Sequence, residues 1–354
     1  MMRAISLLSG ACAASLAVGF AGSVATAALS VPSGFEMLTV ASVPQARELA
    51  VLPDGDLVVG TKSRNVYIVP NAEAVTPGKA TVFATMPDTL AAGVAYSPHH
   101  REIYVATSQG VYATSYVPGN HVAGDFRKIA RVRTGPIAPN SDGDVHSTTS
   151  VAVLDADDTL YVGVGSSCNA CVEADSTRAS VLEVPLRDYA PVTKKATRIR
   201  NAIALTVDPV KGAVWAGDAG QDDLPYGHPY EFLDDISEHS GIADYGWPQC
   251  EENRKAYAAG ANCANVVEPL VELPAYSTII GAVFYPAKPT GTYAFPAMYR
   301  GALFASAHGS WHMSPHGGFA AEPQVVWIAM RDGRPAEPVN WNDPRTQWRT
   351  FLGG

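Results

Sequence analysis

The sequence predicts an all-β fold of the β-propeller type, and three observations carry that prediction. Short apolar strands rich in Val, Ala, Leu and Tyr recur along the chain, they recur at a long period, and long amphipathic helical patterns are absent. The repeat is visible in RELAVLPDGDLVVGTKSRNVYIV from Arg47, AGVAYSPHHREIYVATSQGVYAT from Ala92 and STTSVAVLDADDTLYVGVGSS from Ser147. It continues in NAIALTVDPVKGAVWAGDAG from Asn201 and in IGAVFYPAK from Ile280, which leads into RGALFASAHGSW. Each unit has an apolar strand, a turn rich in Asp, Pro, Gly or His, and a second strand ending in small residues. The first four begin 45, 55 and 54 residues apart and the fifth follows after 79. A period of roughly 40 to 50 residues with several strands per unit is that of a propeller blade. An immunoglobulin-like sandwich has strands without the long recurrence.

The elements follow in order. Residues 1–27 carry Arg3, an apolar run to about Phe20 and a small-residue tail ending Ala25-Thr26-Ala27, the pattern of a cleaved secretory signal. Ser and Gly interrupt the run too often for a membrane span, and Ser9, three residues before Cys12, stands where a lipidation site has an apolar residue. Residues 28–354 form a single propeller domain with no Gly/Ser linker or charge block dividing it. Phe35-Glu36-Met37-Leu38-Thr39-Val40 is a candidate outer strand closing the ring against the last blade. Five blade cores follow, and the long fourth interval is expected to be a loop from about Asp218 to Pro274. The chain stops at Thr350-Phe351-Leu352-Gly353-Gly354, where another core is expected to start. A sixth blade would need about 45 more residues, so the sequence predicts a fragment, or an open or five-bladed ring.

Without residues 1–27 the chain keeps 24 of its 25 Lys and Arg against 34 Asp and Glu. That negative balance disfavours nucleic acid and anionic membranes as partners. Four cysteines remain, and an even number in an exported chain favours disulfides. Four cysteines allow three connectivities, of which proximity favours Cys168–Cys171 and Cys250–Cys263. Zinc is unsupported because no second CxxC or nearby His pattern accompanies Cys168-Asn169-Ala170-Cys171, and no His follows Cys171 for haem attachment.

Candidate chemistry lies in the loops that lead into inner strands, which converge at one end of a propeller's channel. His146 holds that place in the third unit and Arg200-Asn201 in the fourth, so imidazole and guanidinium are expected to face one axis. Neutral imidazole accepts a proton near pH 7; the bland alternative is a loop histidine bonded to backbone. DAGQDDLPYGHPYEFLDDISE, from Asp218 to Glu238, carries seven carboxylates with Gly, Pro and exposed carbonyls. This suits a hard cation such as calcium, without EF-hand spacing, or simply a solvated acidic face. Asp244-Tyr245-Gly246-Trp247-Pro248 is a candidate aromatic lid beside it. In the fifth unit His308 and His312 are candidate ligand contacts and Trp311 a candidate aromatic wall. There is no GxSxG elbow, P-loop or GxGxxG fingerprint.

Taken together, HSTTSVAVLDADDTLYVGVGSSCNAC, RNAIALTVDP, GDAGQDDL, DYGWP, YRGALFASAHGSW and LAVLPDGDLVVGT resemble the soluble glucose/sorbosone dehydrogenase family, most closely its L-sorbosone dehydrogenase-like branch. The resemblance runs in the same order from about Phe35 to Gly354. It implies a six-bladed propeller, with the last blade incomplete here, holding pyrroloquinoline quinone (PQQ) and calcium at the axial end. By this resemblance His146 is the general base, Arg200 stabilises charge on the quinone oxygen, and Asn201 binds the cofactor. Main-chain carbonyls of Gly220 and Gln221 hold the cofactor calcium, Glu231 ligates a nearby structural calcium, and His308 and Trp311 line the cofactor cavity. The chain departs from the family at Thr149, usually Arg, and at Gln324-Val325-Val326, often Tyr-Lys-Val.

The leading expectation is therefore an exported PQQ- and calcium-dependent oxidoreductase acting on a sugar or sugar aldehyde and passing electrons to an external acceptor. Its location would be periplasmic or secreted. Two rivals are a calcium-dependent lactonase or hydrolase on such a propeller, and a non-catalytic ligand-binding propeller.

Overall fold

The computed structural model describes residues 2–5 and 29–354, except 135–144, 188–190, 225–226, 252, 292 and 311–320. Most of the expected signal segment therefore lies outside the described residues. The described residues form five antiparallel blades in chain order.

The first blade is built from Ala46–Val51, Leu57–Thr61, Asn65–Val69 and Thr81–Thr85, and the second from Gly93–Ser97, Glu102–Ala106, Val111–Ser115 and Arg127–Ala130. The third comprises Thr149–Leu154, Thr159–Val164, Ser180–Pro185 and Thr193–Thr197, with Ala243–Asp244 added in parallel at its outer edge. The fourth comprises Ala204–Asp208, Ala213–Asp218, Glu231–Asp235 and Val271–Leu273, and the fifth Ile279–Phe284, Leu303–Ala307, Gln324–Ile328 and Trp348–Gly353. Inner strands of successive blades pack on one another from the first to the fifth.

A glycine near the end of the second strand explains how the blades approach at two junctions. A Cβ on Gly60 would stand 2.1 Å from the Ala92 carbonyl, and one on Gly163 only 1.8 Å from the Ala202 carbonyl. Each carbonyl belongs to the loop leading into the next blade, so these positions exclude side chains. Cores lie between blades: Val58, Val66, Ile68 and Phe83 of the first pack with Val94, Ile103 and Val105 of the second. Trp215, Leu233 and Val271 of the fourth pack with Ile279, Leu303 and Val326 of the fifth.

Three expectations are corrected. The stretch from Asp218 to Pro274 is not one long loop, because Glu231–Asp235 and Val271–Leu273 are the third and fourth strands of the fourth blade. Trp348–Gly353 does not begin another core; it is the outer strand of a four-stranded fifth blade, and the described residues hold five blades, one for each expected core. Phe35–Leu38 does not extend that blade, whose outer place is taken. It pairs in parallel with Met2–Ile5, while the Phe35 ring packs edge-on against Phe295, Tyr299 and Phe351 and Ser30 bridges to Gly353. Near the axis, Glu48 of the first inner strand accepts from the Val151 amide of the third at 3.4 Å, and burial pushes its carboxyl well up.

Candidate active site at the axial end

His146 stands just before the inner strand of the third blade. Its Nδ1 lies 3.1 Å from the Ser166 carbonyl and 2.8 Å from Ser166 Oγ. Ser166 Oγ gives its own hydrogen to the Cys168 carbonyl at 2.6 Å, so it accepts from the imidazole. Nδ1 therefore carries the proton and Nε2 the lone pair. Arg178, itself buried, anchors the loop by donating to the His146 carbonyl at 3.2 Å and to the Gly165 carbonyl at 2.6 Å. Gly165 lets the next blade close in: a Cβ there would stand 2.5 Å from both His146 Cβ and Asn201 Oδ1. Burial first, then the Arg200 charge and more weakly that of Arg178, lowers His146 to about 3.

Arg200 precedes the inner strand of the fourth blade and is 4 % exposed. Nε donates to the Asn169 carbonyl at 3.1 Å, and Nη1 to the carbonyls of Ala219 and Gly220 at 2.9 and 2.5 Å. Nη2 donates to Asn169 Oδ1 at 2.8 Å and pairs with Asp222 at 2.9 Å. All five donors of the guanidinium are thus engaged by the protein. The Ser166 amide bonds to the Arg200 carbonyl at 2.7 Å, so one residue ties the imidazole loop to the arginine loop. Asn201 is buried beside them, its amide held by Asp218 at 2.6 Å.

The residues expected to hold calcium are neighbours. Gly220 donates its amide to Glu231 at 3.1 Å, while its carbonyl is engaged by Arg200. Gln221 Oε1 is buried without a partner, and a small cavity of about 20 Å³ is lined by Asp218, Gly220 and Gln221 together with Tyr245 and Trp247. Burial, then the Asp218 charge, pushes Glu231 up to about 8; burial also raises Asp218. His308 is exposed, with Nδ1 3.2 Å from the Gly309 carbonyl. Trp311 and His312 lie outside the described residues. A larger cavity of about 720 Å³ runs between the fourth and fifth blades, beside Tyr230, Tyr276 and Trp348, away from His146.

Sequence reasoning missed Arg47 and Lys62. In the first blade Ala46 pairs with Thr61 as Thr149 pairs with Val164 in the third, and the register shift between Ala46 and Leu49 leaves Arg47 beside that place, at the same end of its blade. The Lys62 amide bonds to the Gln45 carbonyl, which brings it to the same end. Burial lowers the pKa of both, and repulsion by Arg47 lowers Lys62 further. Neither makes an ion pair among the described residues. Both expected disulfides, Cys168–Cys171 and Cys250–Cys263, are formed. Two side-chain groups of metal-ligand type occur among the described residues, and both are engaged: Arg187 lies against His99 and Asp158, and the sulfurs beside Glu173 are in the disulfide.

The structure resembles solved propellers. It matches the holo PQQ domain of pyranose dehydrogenase from Coprinopsis cinerea with a TM-score of 0.72 at 17 % identity, covering 92 % of this chain and 86 % of that one. It matches the calcium structure of the Trichoderma reesei family AA12 enzyme at 0.68 and 18 % identity, with 88 % and 83 % covered. The PQQ-bound aldose sugar dehydrogenase of Streptomyces coelicolor matches at 0.58 and 18 % identity, with 91 % and 84 % covered. At these identities the likeness is one of fold. An uncharacterized protein of Borreliella burgdorferi is 22 % identical over 307 residues, 83 % of this chain and 76 % of its own. Residues 29–254, which hold His146, Arg200, Asn201, Gly220, Gln221 and Glu231, match the profile of one family. The chain therefore belongs to the TrAA12-like family.

Proposed function

We propose that the protein oxidises a sugar or sugar aldehyde, of aldose or sorbosone type, with PQQ as hydride acceptor and calcium beside it, and hands the electrons to an external acceptor. The observation that carries this reading is the axial pairing of a neutral His146, its tautomer set by Ser166, with a cationic Arg200 one blade away. The solved relatives named for PQQ, for calcium and for sugar substrates share the fold.

The residues fit a polyanionic quinone. Arg47, half-buried, and Lys62, exposed, are two cations that repel each other and have no acidic partner among the described residues, a donor set suited to carboxylates. Asn201 and His308 complete the set. When bound, PQQ supplies a two-electron acceptor. Calcium fits less simply, because the Gly220 carbonyl already receives Arg200. Gln221, with its unpartnered buried oxygen, Asp218 and Glu231 supply the oxygen ligands that calcium favours.

In the mechanism His146 Nε2 takes the hydroxyl proton while Nδ1 keeps its bond to Ser166, so the ring stays oriented through the transfer. An imidazole near pKa 3 is a weak base at rest. An anion bound nearby would oppose the Arg200 and Arg178 charges, the smaller part of the depression, and so move the imidazole upward, while burial continues to hold it down. Arg200, with every donor engaged, acts through its fixed field on developing negative charge and needs no reorganisation to do so.

The test is dye reduction by the apoprotein given PQQ and Ca²⁺ with aldoses and sugar aldehydes. Quinone-dependent turnover lost in His146→Ala supports the reading. Lactone opening with metal and no quinone would replace it with a hydrolase.

A further inference from the structure

Asn169 is one of the two residues enclosed by the Cys168–Cys171 disulfide, and it gathers the axial site around itself. Its carbonyl accepts from Arg200 Nε and from Trp247 Nε1, each at 3.1 Å. Its Oδ1 accepts from Arg200 Nη2 at 2.8 Å and from the Asp222 amide at 2.9 Å, and its Nδ2 donates to the Asp222 carbonyl at 3.1 Å. Two of the five bonds of Arg200 thus end on Asn169 itself. A third ends on Asp222, which Asn169 holds from both sides. The residue before it, Cys168, offers the carbonyl that receives the Ser166 hydroxyl and so turns that hydroxyl's lone pair toward His146 Nδ1.

The loop is itself tied down. Ser167 donates its amide to Glu173 at 2.6 Å and its hydroxyl at 2.8 Å. A short covalent ring around a half-buried asparagine leaves the acceptors little freedom to turn away, and preorganisation of this kind lowers the cost of holding a charged group in place.

We propose that Asn169 is a positioning residue: held in the Cys168–Cys171 ring, it fixes Arg200 directly, while the adjoining Cys168 carbonyl orients the Ser166 hydroxyl that accepts from His146. The proposal rests on the dehydrogenase reading for its effect on rate, but the positioning itself can be read in the protein without cofactor.

The experiment uses Asn169→Ala, Asn169→Asp, a Cys168→Ser/Cys171→Ser double variant, and Val58→Ala as a control that weakens the first-blade core. Exchange of the Arg200 Nη2 hydrogens, which end on Asn169 Oδ1 and on Asp222, is followed by NMR on each apoprotein, and kcat and KM are measured with PQQ. In Asn169→Ala and in the double variant these hydrogens exchange at least ~10-fold faster than in wild type, and kcat falls ~10- to 100-fold with little change in KM. Asn169→Asp keeps the acceptors used by Arg200 and recovers most of the loss. Val58→Ala lowers the melting temperature and moves neither readout. Unchanged Arg200 exchange in both Asn169→Ala and the double variant overturns the proposal, as does the same acceleration in Val58→Ala. Should Asn169→Ala fail to fold, the double variant decides. Absent quinone turnover in wild type sinks the dehydrogenase reading alone, and the exchange rates still decide the positioning.

Discussion

His146 Nδ1 lies 2.8 Å from Ser166 Oγ, and Ser166 passes its own hydrogen to the Cys168 carbonyl at 2.6 Å. The direction of that relay puts the reactive lone pair on Nε2. His146→Ala is therefore expected to lower kcat by ~10²–10⁴ with a small change in KM. Ser166→Ala loses one orienting bond and is expected to cost about tenfold or less. Steady-state kinetics with PQQ check both.

The pH behaviour of His146 follows from its lowered pKa. Burial and the Arg200 charge hold it at about 3 in the folded protein, against about 6.5 unfolded. Below pH 6.5 the unfolded chain binds a proton that the folded one refuses, so this group costs stability progressively from about pH 6.5 down towards 3. His146→Asn should lessen that acid loss, read as melting temperature against pH. The ring signals of the apoprotein should not titrate between about pH 5 and 8, and adding PQQ should move the titration upward.

Arg47 and Lys62 are expected to carry cofactor affinity. Arg47→Ala and Lys62→Ala should each weaken PQQ binding by ~10-fold, about 1.4 kcal/mol. Fluorescence titration checks this, and affinity should fall further as salt screens the remaining charge.

Glu231 links pH to calcium. Raised to about 8 by burial and then by Asp218, it keeps a proton that the unfolded chain loses near pH 4.3. Stability from this group is thus fully present below about pH 4 and is lost as pH rises through 8. Glu231→Gln should flatten that decline. Calcium, which needs the ionised carboxylate, should raise the melting temperature of wild type more at pH 8 than at pH 5, and of Glu231→Gln hardly at all.

Blade spacing has its own check. Gly163→Ala would drive a Cβ against the Ala202 carbonyl. The backbone shift this forces is expected to cost ~1–3 kcal/mol, read by denaturant unfolding.

The repeat was legible because packing imposes it. Small residues recur near the end of each second strand, at Gly60, Ala106, Gly163, Gly217 and Ser306, and at Gly60 and Gly163 they make room for the next blade, so the period shows in the sequence. Glu231–Asp235 was not legible as a strand, because Glu-Phe-Leu-Asp-Asp reads as an acidic loop. Its carboxylates are buried through partners remote in sequence: Asp234 accepts from the Tyr245 hydroxyl at 2.6 Å and the Leu270 amide at 3.0 Å. His146 and Arg200 were legible as loop residues at equivalent places. Arg47 and Lys62 were not, since a single cation at the start of one strand and another just past the next have no local pattern, and their proximity appears only once the two strands pair. The engagement of every Arg200 donor was likewise invisible, because the acceptors come from residues 169 and 219–222.

The most direct measurement is quinone reduction in a single turnover. PQQ-loaded protein with Ca²⁺ is mixed with an aldose or sugar aldehyde, and the quinone absorbance is followed for wild type and His146→Ala. Wild type is predicted to bleach the oxidised quinone at least ~100-fold faster than the variant, both binding PQQ alike. Equal rates in the two proteins, or no binding of PQQ by either, would contradict the account.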